Sequence, residues 1–319
     1  MKISNKAGRI GAFKSSIRIE EFLQQLNARL AETPSGDARP TRPSIFVSGG
    51  PRSGTTFMAQ ALCEYLDVDF IDNLAARFWS APVTGLRLSR TMPREAQGGD
   101  FSSHYGRTAA QSIHNFHYFW MNLLKLDAVA DLFSSPTERG VSWEAIRYHI
   151  AGLQGVADKA FVFKGYYPSY FMADFAREIP KSVFVIMRRE PLPQALSLYR
   201  AREAFFGDPK AWLSLHPPEI ETILTLPPEE QIVAQITGLQ RFFDGQIAEA
   251  GGQLPVVHVD YDLFVEQPES TLRRLAAEIE RYTGDRISTT GIVPSPEAVP
   301  KKTYPPELVE RMRQALAAV

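Results

Sequence analysis

The feature that most constrains this chain is the run Gly49-Gly50-Pro51-Arg52-Ser53-Gly54-Thr55-Thr56. It directly follows the β-rich apolar segment Ser44 to Ser48 and opens the helical pattern Thr55 to Leu66. Glycines let a backbone turn its N–H groups inward, and a helix N-terminus adds partial positive charge, so a loop at this junction suits phosphate-like oxygens. Such a loop needs a strand to enter it and a helix to leave it, which ties the chain to an α/β architecture. The spacing GxxxxG is that of a nucleotide loop, but the residue after the second glycine is Thr55 where that motif has lysine. Without that lysine the usual contact to β- and γ-phosphates is lost, and the cation comes earlier, from Arg52.

Strand and helix patterns alternate around this loop. Further strands are expected at Val68 to Ile71, Ala160 to Phe163, Ser182 to Met187 and Pro255 to Val259. Helical stretches fall at Tyr170 to Glu178, Pro191 to Phe205, Glu229 to Glu249 and Ser270 to Tyr282. Continuous apolar strands separated by helices predict a P-loop-like three-layer α/β fold, its central, mostly parallel sheet flanked by helices. Residues 1–43 read as an N-terminal helix, Ile17 to Leu30, and a Pro-rich linker, and residues 44–319 as the main domain. Within it, residues 77–159 have a different texture, with four of the six histidines (His104, His114, His117, His149), Tyr105 and the aromatic run Phe116 to Trp120. They are expected to cap the ligand end of the sheet.

A second anion-binding constellation follows the strand Ser182 to Met187. Arg188 and Arg189 stand at its carboxyl end, where open α/β sheets bind ligands, and Ser197 and the Arg200/Arg202 pair follow on the next helix. Arg189 and Ser197, eight residues apart, can meet one phosphate if Glu190 to Pro193 turns the chain into that helix, and a guanidinium fork suits a dianion.

The 35 Lys and Arg against 36 Asp and Glu give a net charge of −1, which argues against a nucleic-acid or anionic-membrane binder while allowing a local basic pocket. No run approaches the roughly 20 apolar residues of a membrane span, and the first residues lack the apolar block of a secretory signal. A soluble, cytoplasmic protein is therefore expected. Cys63 is the only cysteine, which excludes intrachain disulfides, and no metal-ligand cluster is visible, so no metal is expected.

These residues resemble the sulfotransferases that use 3′-phosphoadenosine 5′-phosphosulfate (PAPS), above all the bacterial and protein-tyrosine branches with Arg in the first motif. Pro51 to Thr56 matches that motif, so the resemblance implies that Arg52, Ser53, Gly54, Thr55 and Thr56 hold the 5′-phosphosulfate, while Arg189 and Ser197 match the pair that grips the 3′-phosphate. It also implies Lys164, ending a strand in Phe163-Lys164-Gly165, near the transferring sulfuryl group, and Tyr261, in a Tyr-acid-x-Leu pattern, near the donor nucleotide. Lys301 and Lys302 match a C-terminal loop that closes over the donor. The product would be 3′-phosphoadenosine 5′-phosphate (PAP), and the acceptor a small molecule, glycan or lipid bearing a hydroxyl.

In-line sulfuryl transfer needs a general base and positive charge where the leaving oxygen develops its own. Arg52 and Lys164 are the expected charge stabilisers. For the base, His114 ranks slightly above Asp72, which follows the second strand where relatives place a carboxylate. His117 comes next, three residues from His114 and on one face with it if the stretch is helical, and His104 last. The rival readings are a P-loop small-molecule kinase and a non-catalytic nucleotide-binding protein. The cations Arg52, Lys164, Arg188, Arg189 and Arg200, with Lys301, are expected to gather at one end of the sheet.

Overall fold

The structure, a computed structural model, describes residues 1–3, 8–14, 16–33, 36, 38–92, 112–293 and 303–318. Its strands are β1 (Ser44–Gly49), β2 (Val68–Phe70), β3 (Ala160–Lys164), β4 (Ser182–Arg188) and β5 (Val256–Asp260). The helices are α1 (Ile17–Leu30), α2 (Thr55–Tyr65), α3 (Pro82–Thr91), α4 (His117–Leu123), α5 (Trp143–Ala157), α6 (Met172–Glu178), α7 (Pro191–Phe206), α8 (Ile220–Ile223), α9 (Pro228–Glu249), α10 (Tyr261–Glu266), α11 (Pro268–Thr283) and α12 (Pro306–Ala317).

The five strands form one sheet in the order β2-β3-β1-β4-β5, and every pairing in it is parallel. β1 lies between the strands that the chain visits first on one side, β2 and β3, and later on the other, β4 and β5. The order reverses at β1, so the crevice beyond its carboxyl end is where an open α/β sheet offers room for a ligand. The register sets Val47 opposite Lys164 and Gly49 opposite Met187, which brings the glycine loop, Lys164 and the end of β4 to the same edge.

The strands are apolar on both faces because both are covered. Phe46, Phe161, Phe163 and Phe184 pack with Trp120 of α4, Ile150 of α5, Phe175 of α6 and Leu239 of α9. Phe46 is the hub, its ring centroid 5.0–6.0 Å from those of Phe163, Phe175, Phe184 and Trp120. Ile45, Val47, Val162 and Val185 turn the other way, onto Met58 and Leu62 of α2 and Leu272 and Leu275 of α11. A third cluster joins α7, α9 and α12 through Leu198, Ile236 and Met312. α5 also lies against α3, so the later part of the histidine-rich stretch forms part of the cover on the sheet.

The exit from β2 is held by charge. Arg90 of α3 pairs with Asp69 and Asp72, both almost wholly buried. Asp72 also accepts from the amides of Leu74 and Ala75 at 3.0 and 2.8 Å and from the Ser89 hydroxyl. Its oxygens are committed to the turn after β2 and to α3. Removing one partner of a buried ionic cluster leaves uncompensated charge. Arg90→Met is expected to lower stability by about 3–5 kcal/mol, read from the midpoint of urea unfolding at neutral pH; an unchanged midpoint would show that the cluster does not hold this turn.

Candidate active site

The loop between β1 and α2 is shaped by two left-handed glycines. Gly49 has φ 145°, and a Cβ there would stand 2.6 Å from the Met187 carbonyl. Gly54, the N-cap of α2, has φ 96°, and its Cβ would run into the Tyr261 ring. Only glycine combines such dihedrals with so close an approach. Between them Arg52 holds φ 65°, an uncommon conformation for a residue with a side chain.

Side chains from outside the loop, and one from within it, fix its carbonyls. Gln194 of α7 donates to the Pro51 carbonyl at 2.8 Å, Arg189 Nη1 donates to the Arg52 carbonyl at 3.1 Å, and the Ser53 hydroxyl donates to the Gly50 carbonyl at 2.8 Å. Arg52 reaches α7 in turn, its Nε donating to Ser197 Oγ at 3.1 Å. The Arg189 guanidinium lies 4.3 Å from the centroid of the Tyr261 ring, and its Nε is buried without a hydrogen-bond partner among the described residues. The loop, the start of α7 and the start of α10 thus form one interlocked unit.

Lys164 ends β3 beside this unit, 7% exposed, and its Nζ donates to Thr56 Oγ1 at 2.9 Å. Burial, reinforced by the Arg52 charge, pulls its pKa down to about 7. Gly50, Arg52, Thr55, Thr56, Lys164 and His117 are among the residues that line a cavity of ≈170 Å³. Beyond it lies a second cavity of ≈290 Å³; Arg9, His117, Tyr166, Leu213 and Ser214 line both.

A loop that carries an arginine and lacks the nucleotide-loop lysine, facing a buried lysine and a second arginine, has the charge to suit a small anion-bearing ligand. The sequence model described as the "Sulfotransferase family" matches residues 43–282. The chain belongs to that family. Its activity is therefore sulfuryl transfer. Among curated protein sequences none matches. Among solved structures, the chain is similar to sulfotransferase STF9 from Mycobacterium avium, with 13% identity, TM-score 0.47, and 95% of this chain against 73% of that one. For STF1 from Mycobacterium tuberculosis the values are 16%, 0.46, 97% and 83%. A sulfotransferase from Alicyclobacillus acidocaldarius gives 18%, 0.44, 87% and 92%. Among the described residues of this sulfotransferase no helix is long and apolar enough to cross a membrane.

Of the residues singled out in the sequence, the structure brings Arg52, Ser53, Gly54, Thr55, Thr56, Lys164, Arg189, Ser197 and Tyr261 together. Lys301, Lys302, His104 and Tyr105 lie outside the described residues. The histidine stretch departs from expectation, because Phe116 takes a left-handed φ of 53° and α4 starts only at His117. His114 and His117 therefore do not share a helical face. His114 Nδ1 accepts from the Phe116 amide at 2.9 Å, and among described residues the smaller cavity is walled by Asn115 and His117, not by His114 or Asp72.

The cation cluster is also narrower than expected. Arg188 turns away to an ion pair with Asp244 of α9, Arg200 lies over the Tyr304 ring at 5.5 Å, and Arg202 is wholly buried against Gln231, Gln235 and Trp212. Sequence reasoning missed Gln194, Tyr166 and Arg9. Tyr166 follows Lys164-Gly165 closely enough to have been found, whereas nothing in the local pattern marks Arg9.

An anion beside Lys164 favours its ammonium form and raises its pKa. Below about pH 7 the lysine is already charged and affinity is flat; above it, binding must recruit a proton, and affinity falls by up to about tenfold per pH unit until the bound-state pKa is reached. Sulfate, whose own charge is constant across this range, is the probe. Its affinity is expected to drop between about pH 7 and 9 with proton uptake by calorimetry, and Lys164→Met should bind more weakly with a flat profile. Wild-type affinity that does not change with pH would remove Lys164 from the anion site.

Proposed function

We propose that this sulfotransferase takes its sulfuryl group from PAPS and passes it to an acceptor hydroxyl, with Arg52 and Lys164 as the stabilising cations and His117 as the base. The observation that carries the reading is the joint between the two candidate anion-binding elements: Arg52 bonded to Ser197, and Arg189 bonded to the Arg52 carbonyl with its Nε lacking a hydrogen-bond partner among the described residues. A donor with a phosphosulfate at one end and a 3′-phosphate at the other needs two such elements at molecular distance. The orphaned guanidinium nitrogen fits the second phosphate.

When bound, the donor supplies a sulfuryl group whose leaving group is a phosphate ester, so negative charge grows on a phosphate oxygen. Lys164 and Arg52 line the cavity that would hold that end. Their partners, Thr56 and Ser197, fix them before ligand arrives, which spares reorganisation during transfer. His117 lines both this cavity and the larger one, so a hydroxyl entering from the larger cavity meets an imidazole before the donor loop. Asp72 accepts from four groups of the turn and α3, which leaves it no comparable role. The kinase reading lacks the lysine after Gly54.

Calorimetry with PAP and ADP separates the readings. PAP is expected to bind more tightly than ADP, and Arg189→Ala to weaken PAP by about 1.5–3 kcal/mol, roughly ten- to hundredfold, with a smaller loss for ADP through the loop that Arg189 supports. Equal affinities in the wild type would defeat the 3′-phosphate assignment. For the base, His117→Ala should lower kcat by about 10²–10⁴ at saturating donor with PAP affinity retained, and His114→Ala should keep most of the turnover. The reverse order would move the base to His114.

A further inference from the structure

We infer that Arg9, carried by the N-terminal segment, is a further cation of the active site that holds the sulfuryl oxygens as the group crosses from donor to acceptor. The inference rests on the PAPS reading for what crosses, and the two cavities supply the geometry. Arg52 and Lys164 line only the smaller cavity and Lys2 only the larger, whereas Arg9 lines both. His117 and Tyr166 share that boundary with it and meet edge-on at a centroid distance of 4.8 Å. A cation that follows a group across a boundary must stand on the boundary, and of these cations only Arg9 does.

The segment is seated on both sides of Arg9. Before it, the Val129 amide donates to the Met1 carbonyl at 3.1 Å, Lys2 pairs with Ala128 in an antiparallel bridge, and Ile3 is buried. After it, Ile10 N–H donates to the Phe205 carbonyl at 2.8 Å, and the centroid of the buried Phe13 ring lies 4.0 Å from that of Phe205. Phe205 belongs to the last turn of α7, the helix whose Ser197 meets Arg52, so the donor loop and the N-terminal segment share one support. The Arg9 guanidinium lies over the Phe205 ring, 5.1 Å from its centroid, and that ring lines the smaller cavity. A guanidinium can use its face for such a contact and its N–H edge for an oxyanion. Burial pushes the Tyr166 phenol up to about 12, with the Ser214 hydrogen bond and the Arg9 charge working against it, so the Arg9 charge is felt at the boundary between the cavities.

In transfer the bond from sulfur to the phosphate oxygen breaks with its electrons passing to that oxygen, the acceptor oxygen forms the new bond to sulfur, and its proton goes to His117. Lys164 and Arg52 serve the oxygen that gains charge, while the sulfuryl oxygens carry theirs before and after the step. A planar fork such as that of Arg9 suits those oxygens, and a cation in place before they arrive stabilises the transition state without reorganisation. Arg9 also lies outside residues 43–282, the part of the chain that matches the family, so this cation is added to that scaffold by the N-terminal segment.

Calorimetry of PAPS against PAP on the full chain isolates the contact, because the two ligands differ only in the sulfuryl group. Arg9→Gln is expected to weaken PAPS about tenfold while PAP changes by less than about twofold. Arg9→Lys, which keeps the charge and loses the fork, serves if that variant fails to fold, with a PAPS loss of about two- to fivefold and PAP again unchanged. Equal losses for PAP and PAPS would overturn the inference by making Arg9 a support of the fold, and PAPS binding indifferent to both variants would overturn it by leaving the charge to the acceptor. Wild-type protein that binds neither nucleotide would sink the donor reading instead. Sulfate alone is then the probe: its affinity should still fall about tenfold in Arg9→Gln, and an unchanged value would remove Arg9 from the anion site.

Discussion

The close approach of Gly54 to the Tyr261 ring is the contact on which the rest of the site depends. Because Gly54 has no Cβ, α10 can begin directly against the N-terminus of α2. The Tyr261 ring then offers a face to Arg189, and Arg189 holds the carbonyl of Arg52, which reaches Ser197. Any side chain at Gly54 would push the ring away and loosen that sequence of contacts at its first member. The positive φ of Arg52 is the counterpart, since it turns the Arg52 carbonyl toward Arg189 while its own guanidinium goes to α7, a strained conformation held by partners on both sides.

Charge in this protein is placed more than it is abundant. A net of −1 conceals three cations at the switch point of the sheet, two of them arginines bonded to neutral oxygens and one a lysine that burial has brought close to neutrality. Such groups gain from an arriving anion, which sets a full negative charge beside them. Arg188 shows the alternative. One position before Arg189, it is satisfied by Asp244 and contributes structure between β4 and α9.

The five strands and the helices α1, α2, α6, α7, α9 and α11 were legible in the sequence because each buried strand is a short apolar run closed by a turn signal, and their observed boundaries differ from expectation by a residue or two, whereas α3, α4, α5, α8, α10 and α12 were not read. The loop and its partners were legible for a different reason, since glycine spacing, a missing lysine and an Arg-to-Ser interval of eight are local patterns with direct chemical meaning. What local patterns cannot carry is the direction in which a side chain leaves the backbone in space. Arg188 and Arg189 are indistinguishable in the sequence and diverge only because successive residues around a strand end point to opposite sides. Asp72 likewise looks like a free carboxylate until α3 returns Arg90 to it from 18 positions away.

The histidines follow the same logic one step further. A helix running through His114 to His117 would have set the two imidazoles on one face, and the sequence offers no proline or glycine there to prevent it. Tertiary packing does. Phe116 is 2% exposed and stacks on Phe119 at a centroid distance of 4.3 Å, and burying that ring at the end of the backbone bridge between Asp72 and Ile113 requires the left-handed turn that starts α4 a residue later. His114 is spent on closing the turn through its Nδ1, and His117 is carried to the partition between the two cavities. Core burial of one phenylalanine thus selects which imidazole lines the cavity beside the glycine loop, a choice made by aromatic packing outside that loop and out of reach of any motif within it.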